Sequence, residues 1–144
     1  MPRITELLVA DHARLGELLA GAVDEHGAID EARYATFRAG LLRHIAIEEK
    51  LLFPVLPRPR TARLREDHAR IGVLLSVSPT AARCAELTAI LETHDALEEG
   101  EGGIYAACEE VLGALPSCAL TERALALPAV RVAAYRDRDP RWAR

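Results

Sequence analysis

The amino-acid sequence predicts an all-α protein, an up-down-up-down antiparallel four-helix bundle with a short C-terminal helix or tail. Two observations support this fold. Apolar residues recur at helical spacing along nearly the whole chain, whereas alternating or β-branched-rich runs are scarce. The predicted helices are joined by short connections, roughly three to eight residues long, and such connections favour antiparallel neighbours.

The first half of the bundle is predicted to contain two helices. One covers about residues 5–23 and has Thr5 as its N-cap, since a threonine oxygen can accept a hydrogen bond from the first turn. The other starts after Asp30, also a favourable cap, and continues to about residue 56. Pro57 and Pro59 end it because proline lacks the amide hydrogen that a helix needs, and Pro54 is expected to kink its last turn.

The second half of the bundle repeats this organisation. A third helix is predicted over about residues 60–76, and a fourth from Thr80 to about Leu112. Three glycines interrupt the fourth helix, namely Gly100, Gly102 and Gly103. We therefore place the bundle domain at residues 1–118.

The C-terminal part, residues 119–144, is predicted to be an extension that packs on the bundle or is partly disordered. A short helix fits residues 120–128, after which the chain becomes rich in arginine. Terminal segments of this kind are ordered only where contacts with the domain hold them.

Composition excludes several classes of function. The chain has 144 residues, 50% of them hydrophobic, and a net charge of -4, which suits one compact domain with no general attraction to nucleic acid. Its apolar runs are well short of the about 18 residues of a membrane span. Glu6 and Asp11 interrupt the region where an export signal needs an apolar core, so we expect a soluble, cytoplasmic protein. The three cysteines lack a Cys-x-x-Cys spacing, which argues against a disulfide framework and a thiolate zinc site.

The sequence contains an internal repeat. Residues 11–19, which begin Asp-His-Ala-Arg, recur at 67–75 with seven of nine positions identical. A second motif, His-x-x-x-Glu-Glu, occurs at 44–49 and again at 94–99. The chain therefore consists of two related helical hairpins.

Six polar residues lie at helical spacing among the apolar positions that should face the core. They are one histidine on each helix and one glutamate a turn after the second and fourth of these: His12, His44, Glu48, His68, His94 and Glu98. A buried, unpaired carboxylate is unfavourable by several kcal/mol or more, so two carboxylates among four imidazoles need a compensating charge. A pair of cations would supply it, whereas buried His–Glu ion pairs without metal are the alternative. The fifth histidine, His26, falls in a connection and is expected to be solvated.

The number and type of these ligands favour a dinuclear site. Two metals with two histidines each and two bridging carboxylates use every group, whereas one tetrahedral zinc needs fewer. Mixed nitrogen and oxygen ligation suits iron, so we predict two iron ions. An oxo or hydroxo bridge between them is one form that this centre can take. Zinc and manganese are the alternative metals.

These motifs resemble those of the hemerythrin-like proteins, also called HHE cation-binding domains. The resemblance covers about residues 5–112 and depends on Asp11-His12, His44-x-x-x-Glu48-Glu49, Asp67-His68 and His94-x-x-x-Glu98-Glu99. It implies a four-helix bundle in which one iron is held by His12 and His44. The other iron would be held by His68 and His94, with Glu48 and Glu98 as bridges.

The chain departs from the family pattern at two positions, and its second repeat departs from its first at Tyr105. Oxygen-carrying hemerythrins have a further histidine where this chain has Leu64, so the resemblance implies an extra open coordination position. They also place a carboxylate five residues after the helix-four histidine, which would be Glu99; we choose Glu98 because it repeats Glu48. In the second repeat Tyr105 follows its histidine at a distance two residues greater than that of Phe53 in the first. A packing role is favoured for it over a place in the site.

The resulting functional hypothesis is a non-haem di-iron protein that binds, senses or reacts with a small ligand such as oxygen, nitric oxide or peroxide. Iron storage, donation or sensing is the alternative, and an interaction bundle without metal is a third reading. The sequence contains no phosphate loop or nucleophile–base pair, so it favours ligand binding over turnover of larger molecules. Weak peroxidase- or oxidase-type activity is compatible with such a site.

Overall fold

The computed structural model of the chain describes residues 1–138, and this part is all-α apart from an isolated bridge between Val23 and Ile29. Its α-helices are α1 (Ile4–Gly21), α2 (Glu31–Ile47), α3 (Arg58–Leu75), α4 (Ala81–Glu99), α5 (Ile104–Leu112) and α6 (Ala114–Ala126). Helix α1 packs against α2, α3 against α4, and α4 closes the bundle by returning to α1. The predicted all-α bundle is confirmed. None of the described helices combines the length and apolar character needed to cross a membrane.

The predicted N-cap at Asp30 is confirmed, and Thr80, where the fourth helix is predicted to begin, also caps its helix. The side chain of Asp30 accepts a hydrogen bond from the Arg33 amide (3.0 Å), and that of Thr80 accepts one from the Arg83 amide (3.1 Å). The prediction for Thr5 is wrong, because α1 already begins at Ile4. Tertiary contacts replace the local cap there.

The first turn of α1 is capped by side chains from the other end of the chain. The Ile4 amide donates to Ser117 Oγ of α6 (3.0 Å), and the Thr5 hydroxyl donates to Glu109 of α5 (2.6 Å). These partners lie more than 100 residues away in sequence, so no local pattern reveals them.

Helix α2 ends differently from the prediction of one kinked helix up to residue 56. It is regular to Ile47, continues as a single π-helical turn (Glu48–Leu52) and closes with a 3₁₀ turn (Phe53–Val55). In the π turn the Phe53 amide donates to the Glu48 carbonyl, so one extra residue is accommodated. The irregularity therefore begins at a predicted ligand, six residues before Pro54.

The interruption predicted between α4 and α5 is confirmed. Gly102 has a φ of +69°, in the left-handed region that favours glycine, and a Cβ atom on Gly103 would lie 2.7 Å from the Glu98 carbonyl oxygen. Glycine is thus required at both positions, and the tight turn lets α5 start directly after α4.

The C-terminal helix starts at Ala114 rather than at residue 120, so position 118 lies inside α6. Pro116 is tolerated because it falls in the first turn, where its missing amide hydrogen has no helical partner. Beyond α6, the Arg136 amide donates to the Ser76 carbonyl (2.8 Å) and Arg138 pairs with Glu31 (2.8 Å). The extension packs on the bundle as far as residue 138, and the rest of it, 139–144, lies outside the described residues.

The buried apolar residues form two clusters with a polar layer between them. The first cluster surrounds Leu8, Ile47 and Leu64 and includes residues of α5 and α6; the second surrounds Leu15, Leu41 and Ile71. On three helices the predicted histidine falls between a residue of one cluster and a residue of the other. The apolar periodicity of the bundle thus places the histidines in a single layer.

Candidate metal centre

The polar layer brings together all six residues that the sequence predicts as ligands. Both glutamates are fully buried, and the four histidine side chains are at most 8% exposed. His26, by contrast, is exposed in the first connection. Residues from four different helices therefore converge in an interior that water does not reach freely.

Their donor atoms form two overlapping groups. In each group one donor atom per residue lies within 4.8 Å of the others; the groups are His12, His44, Glu48, Glu98 and Glu48, His68, His94, Glu98. Both groups contain the same two carboxylates. This geometry suits two cations held by separate histidine pairs and shared glutamates, the arrangement expected from the sequence.

A second set of carboxylates orients the histidines. Each imidazole Nδ1 atom lies within hydrogen-bond distance of a carboxylate on another helix: His12 with Glu99 (2.5 Å), His44 with Asp11 (3.1 Å), His68 with Glu49 (2.7 Å) and His94 with Asp67 (3.0 Å). We call these four residues the orienting carboxylates. They leave every Nε2 atom directed into the layer, and a carboxylate on the outer nitrogen fixes the ring orientation and raises the basicity of the inner one.

The orienting carboxylates form a closed cycle around the bundle. Asp11 of α1 serves the histidine of α2, Glu49 follows α2 and serves α3, and Asp67 of α3 serves α4. Glu99 of α4 closes the cycle on His12 of α1. Each of these residues is the direct neighbour of a predicted ligand in the sequence, but the motifs did not reveal their orienting role, and Glu99 was considered only as an alternative to Glu98.

The structure separates the roles of Glu98 and Glu99. Glu98 is fully buried and lies 3.2 Å from His12 Nε2 and 3.4 Å from His94 Nε2, so it faces one histidine of each pair. Glu99 contacts the outer nitrogen of His12 and is 35% exposed. The geometry thus favours Glu98 for the shared position.

Tyr105 packs in the first apolar cluster, as the sequence favours, and its hydroxyl also reaches the site. Its hydroxyl donates to Glu48 Oε2 (2.7 Å) and lies 3.2 Å from His12 Nε2. Its ring stacks on His12, just as the ring of Phe53 stacks on His68. Tyr105 therefore corresponds in the second repeat to Phe53 in the first, although the glycine turn shifts its position in the sequence by two residues.

Two further side chains define the edges of the layer. Asp95 Oδ1 lies 3.4 Å from His12 Nε2 and has no hydrogen-bond partner although it is buried. Leu64, at the position where oxygen carriers have a further histidine, is 2% exposed and packs in the first apolar cluster. The side of His68 and His94 consequently receives no additional nitrogen donor from α3.

The layer is strongly coupled in its electrostatics. Burial disfavours the charged form of His44, but the charge of Glu48 and hydrogen bonds to Asp11 and Glu48 outweigh it and raise the pKa to about 10. Burial acts in the same sense on His94, yet the hydrogen bond and charge of Glu98 and the bond to Asp67 raise that pKa to about 9. In the metal-free protein the imidazoles of His44 and His94 therefore act as counter-charges of the carboxylates.

The two shared glutamates differ in their pKa values. Burial tends to raise the pKa of Glu48, but the charge of His44 and several hydrogen bonds hold it well below its usual value. Burial and the neighbouring Glu48 raise the pKa of Glu98. Glu48 is the carboxylate that stays ionised, and Glu98 is the one that takes up a proton more readily.

The residues fit a pair of cations. His44 Nε2 and Glu98 Oε2 are buried, point into the layer and have no hydrogen-bond partner, and buried polar atoms rarely remain unsatisfied. One of these atoms is a nitrogen donor and the other an oxygen donor, and a cation bound between the pairs would satisfy both. The donor chemistry matches the preference of iron and of related divalent metals for imidazole and carboxylate.

Comparison with known proteins gives one family match. The model of the hemerythrin HHE cation binding domain matches residues 3–112, a range that contains all six predicted ligands, the four orienting carboxylates and Tyr105. Searches of the curated proteins and of the solved structures gave no significant match.

Proposed function

The chain belongs to the hemerythrin HHE cation-binding family, and on this premise we propose that it is a non-haem di-iron protein that binds, senses or reacts with oxygen, nitric oxide or peroxide. The observation that carries the proposal is the pair of four-donor groups that share Glu48 and Glu98. His12 and His44 would hold one ion, and His68 and His94 the other. A cytoplasmic location is part of the same proposal.

The donor count supports ligand binding. Two histidines and two shared carboxylates give each ion four protein donors, fewer than the six of an octahedral centre. Bound iron would supply open coordination positions and electrons for the binding or reduction of a small ligand. The surrounding leucine and isoleucine side chains restrict water and so influence the redox potential.

Tyr105 places a protonated hydroxyl group at the centre of the site. Burial and the charges of Glu48 and Glu98 raise the pKa of its hydroxyl, so the phenol stays protonated at neutral pH. Its hydrogen bond to Glu48 fixes that carboxylate, and its contact with His12 puts the hydroxyl beside one of the two half-sites. We assign to Tyr105 the role of positioning Glu48, and a ligand that enters on this side would compete with Glu48 for the single hydroxyl hydrogen.

Iron storage, donation or sensing is the second candidate, and Leu64 favours it. With an apolar residue there, the His68–His94 side has one nitrogen donor fewer than an oxygen carrier, and fewer donors give weaker retention of the metal. Metal occupancy would then control the stability of the bundle.

Metal analysis combined with redox spectroscopy tests both candidates. Protein produced with iron should contain about two ions per chain, and its near-ultraviolet and visible spectrum should change when the reduced protein meets oxygen, nitric oxide or peroxide. A content below about one ion per chain would contradict the dinuclear proposal. Full occupancy with no spectral response, together with release of iron on reduction, would favour storage instead.

A further inference from the structure

A cavity of about 250 Å³ adjoins the metal layer and opens to the surface between α1 and α4. Its inner end is formed by His44, Glu48 and His68. The walls belong to the second apolar cluster, with Leu15, Leu41 and Ile71 among them. Gly16, on α1, and Thr88, on α4, are exposed and mark the mouth. The cavity therefore connects solvent to the polar layer through an apolar passage.

The size of this cavity exceeds what a diatomic ligand requires. An apolar protein cavity of about 150 Å³ holds benzene, which has six non-hydrogen atoms. By proportion, the present volume has room for roughly ten non-hydrogen atoms. The sequence gives no sign of a site for larger molecules, since the cavity is formed by residues that the sequence reads as ordinary core positions.

The charge of the lining restricts the ligand class. Among the described residues, the lining contains the carboxylates of Glu48, Glu92 and Asp95 and no lysine or arginine. Its four imidazoles lie at the inner end, so the exposed mouth has only the negative charge of Glu92. An anionic head group would be repelled at the mouth, where Glu92 is exposed. An uncharged molecule meets no such penalty and buries its apolar surface against the leucine and isoleucine side chains.

We propose that this cavity binds an uncharged, mainly apolar organic molecule of about ten non-hydrogen atoms, with its polar end toward His44 and the metal centre. The inference deepens the proposed function and rests on it in one respect, since the orientation of the polar end depends on a bound metal. It names a substrate or effector class, such as an alcohol or an organic peroxide, in addition to the small inorganic ligands. The apolar passage selects this class by burial, whereas an anionic head group loses its hydration in the passage and is repelled by Glu92 at the mouth.

Gly16 offers a variant that narrows the mouth without disturbing the fold. A Cβ atom at Gly16 would meet no atom within 4 Å, so the backbone there accepts a side chain, and Gly16→Leu extends one from the exposed entrance. Gly72 is the matched control, because it occupies the same position of the repeat and is equally uncrowded, and it does not line the cavity. Thr88→Phe narrows the mouth from the opposite helix and serves as a second, independent variant.

The binding experiment uses n-octanol as the uncharged probe and octanoate as its anionic counterpart. Ligand-observed NMR should show that octanol binds to the wild type and to Gly72→Leu with equal affinity, and at least tenfold more weakly to Gly16→Leu and Thr88→Phe. Octanoate should bind at least tenfold more weakly than octanol. Circular dichroism and metal content are measured on the same samples and should be the same for all four proteins.

NMR relaxation of the octanol protons tests the orientation of the bound molecule. In iron-loaded protein, compared with zinc-loaded protein, the protons next to the octanol hydroxyl should relax faster than the terminal methyl protons. The reverse gradient would overturn the orientation.

Two results would overturn the site itself, namely equal octanol affinity in the wild type and both folded mouth variants, or tighter binding of octanoate than of octanol. Failure of the proposed function is recognised separately. A wild type that lacks metal and binds octanol in a Gly16-dependent manner contradicts the di-iron proposal alone, whereas full metal content without octanol binding contradicts the cavity proposal alone.

Discussion

The two hairpins of the bundle carry the same motifs but do not form equivalent halves of the site. Each provides an Asp-His pair and a His-x-x-x-Glu-Glu motif, and in each the orienting carboxylates serve a neighbouring helix in chain order. After Glu48 the first hairpin continues through a π turn that places Phe53 on His68. After Glu99 the second breaks at glycines and places Tyr105 on His12.

The comparison teaches that a repeated scaffold can bring two similar sets of metal-ligating side chains together and still surround them with different chemistry. A phenol hydroxyl reaches the shared carboxylates on one side, where the other side has only a phenyl ring. The two shared glutamates also differ, since burial and Glu48 raise the pKa of Glu98, whereas His44 and several hydrogen bonds outweigh burial and lower that of Glu48. Function therefore depends on where the repeats differ as well as on where they agree.

The largest effect is expected from removal of a shared carboxylate. Glu48→Ala and Glu98→Ala should each reduce metal content from about two ions to below one, because each carboxylate serves both groups. In the metal-free protein Glu48→Ala should be the more destabilising, by about 3–5 kcal/mol, because it leaves the buried imidazolium of His44 without its counter-charge. Metal analysis and chemical denaturation measure both effects, and Glu86→Ala, which removes an exposed carboxylate of α4 outside both groups, is the control. Normal metal content in either variant would rule out its assignment as a shared ligand.

The second expected effect is the pH dependence of the metal-free protein. The folded pKa of His44, about 10, lies above its ordinary value of 6.5, so the unfolded chain binds fewer protons than the folded one between these pH values. The stabilisation from this group is present below pH 6.5 and is lost as the pH rises through 10. For His94 the loss is complete near pH 9.

Thermal unfolding of the metal-free protein should therefore show a melting temperature that falls as the pH rises above 6.5, with a total loss of a few kcal/mol. Metal affinity should change in the opposite direction, because the imidazoles must lose their protons to bind. His44→Gln should remove the part of the slope that extends to pH 10, whereas His94→Gln should keep it. A melting temperature that rises with pH in the metal-free protein would contradict this account.

A third prediction compares two orienting carboxylates at the same position of the repeat. Asp67→Asn should weaken metal binding by about 10–100-fold, as is usual when the partner of a metal-binding histidine is changed. Asp11→Asn should have the smaller effect, since the Asp11 side chain is 22% exposed and water can replace part of its role, whereas Asp67 is 4% exposed. Competition with a chelator measures both affinities. Equal losses would show that exposure does not distinguish the two halves.

The smallest effect concerns the tyrosine that makes the halves unequal. Tyr105→Phe should destabilise the metal-free protein by roughly 1.5 kcal/mol, the usual contribution of a hydrogen bond to a charged group. It should retain both metals and alter the reaction with peroxide, because the hydroxyl beside His12 is lost. Tyr34→Phe is the control, since the Tyr34 hydroxyl is buried without a hydrogen-bond partner and its removal should leave stability unchanged or raised. Identical peroxide kinetics in Tyr105→Phe and the wild type would limit Tyr105 to a structural role.

Much of the fold and of the central site could be predicted from the sequence. Helical periodicity, the Asp30 and Thr80 caps and the glycine interruption are local signals, and all of them appear in the structure. Local reasoning failed where long-range contacts decide. Thr5 was misread as a cap because the partners of that helix end come from α5 and α6, more than 100 residues away.

By itself the sequence determined that four histidines and two glutamates face one core, because helical spacing fixes the face of a residue and an unpaired buried charge is unfavourable. Only the tertiary structure decided which carboxylate orients which histidine, because the rotation and the neighbours of each helix are set by packing. The same is true of Tyr105, which reaches Glu48 only through the turn at Gly102 and Gly103. The apolar cavity is likewise a property of how the helices pack, since single core residues carry no record of the space left between them.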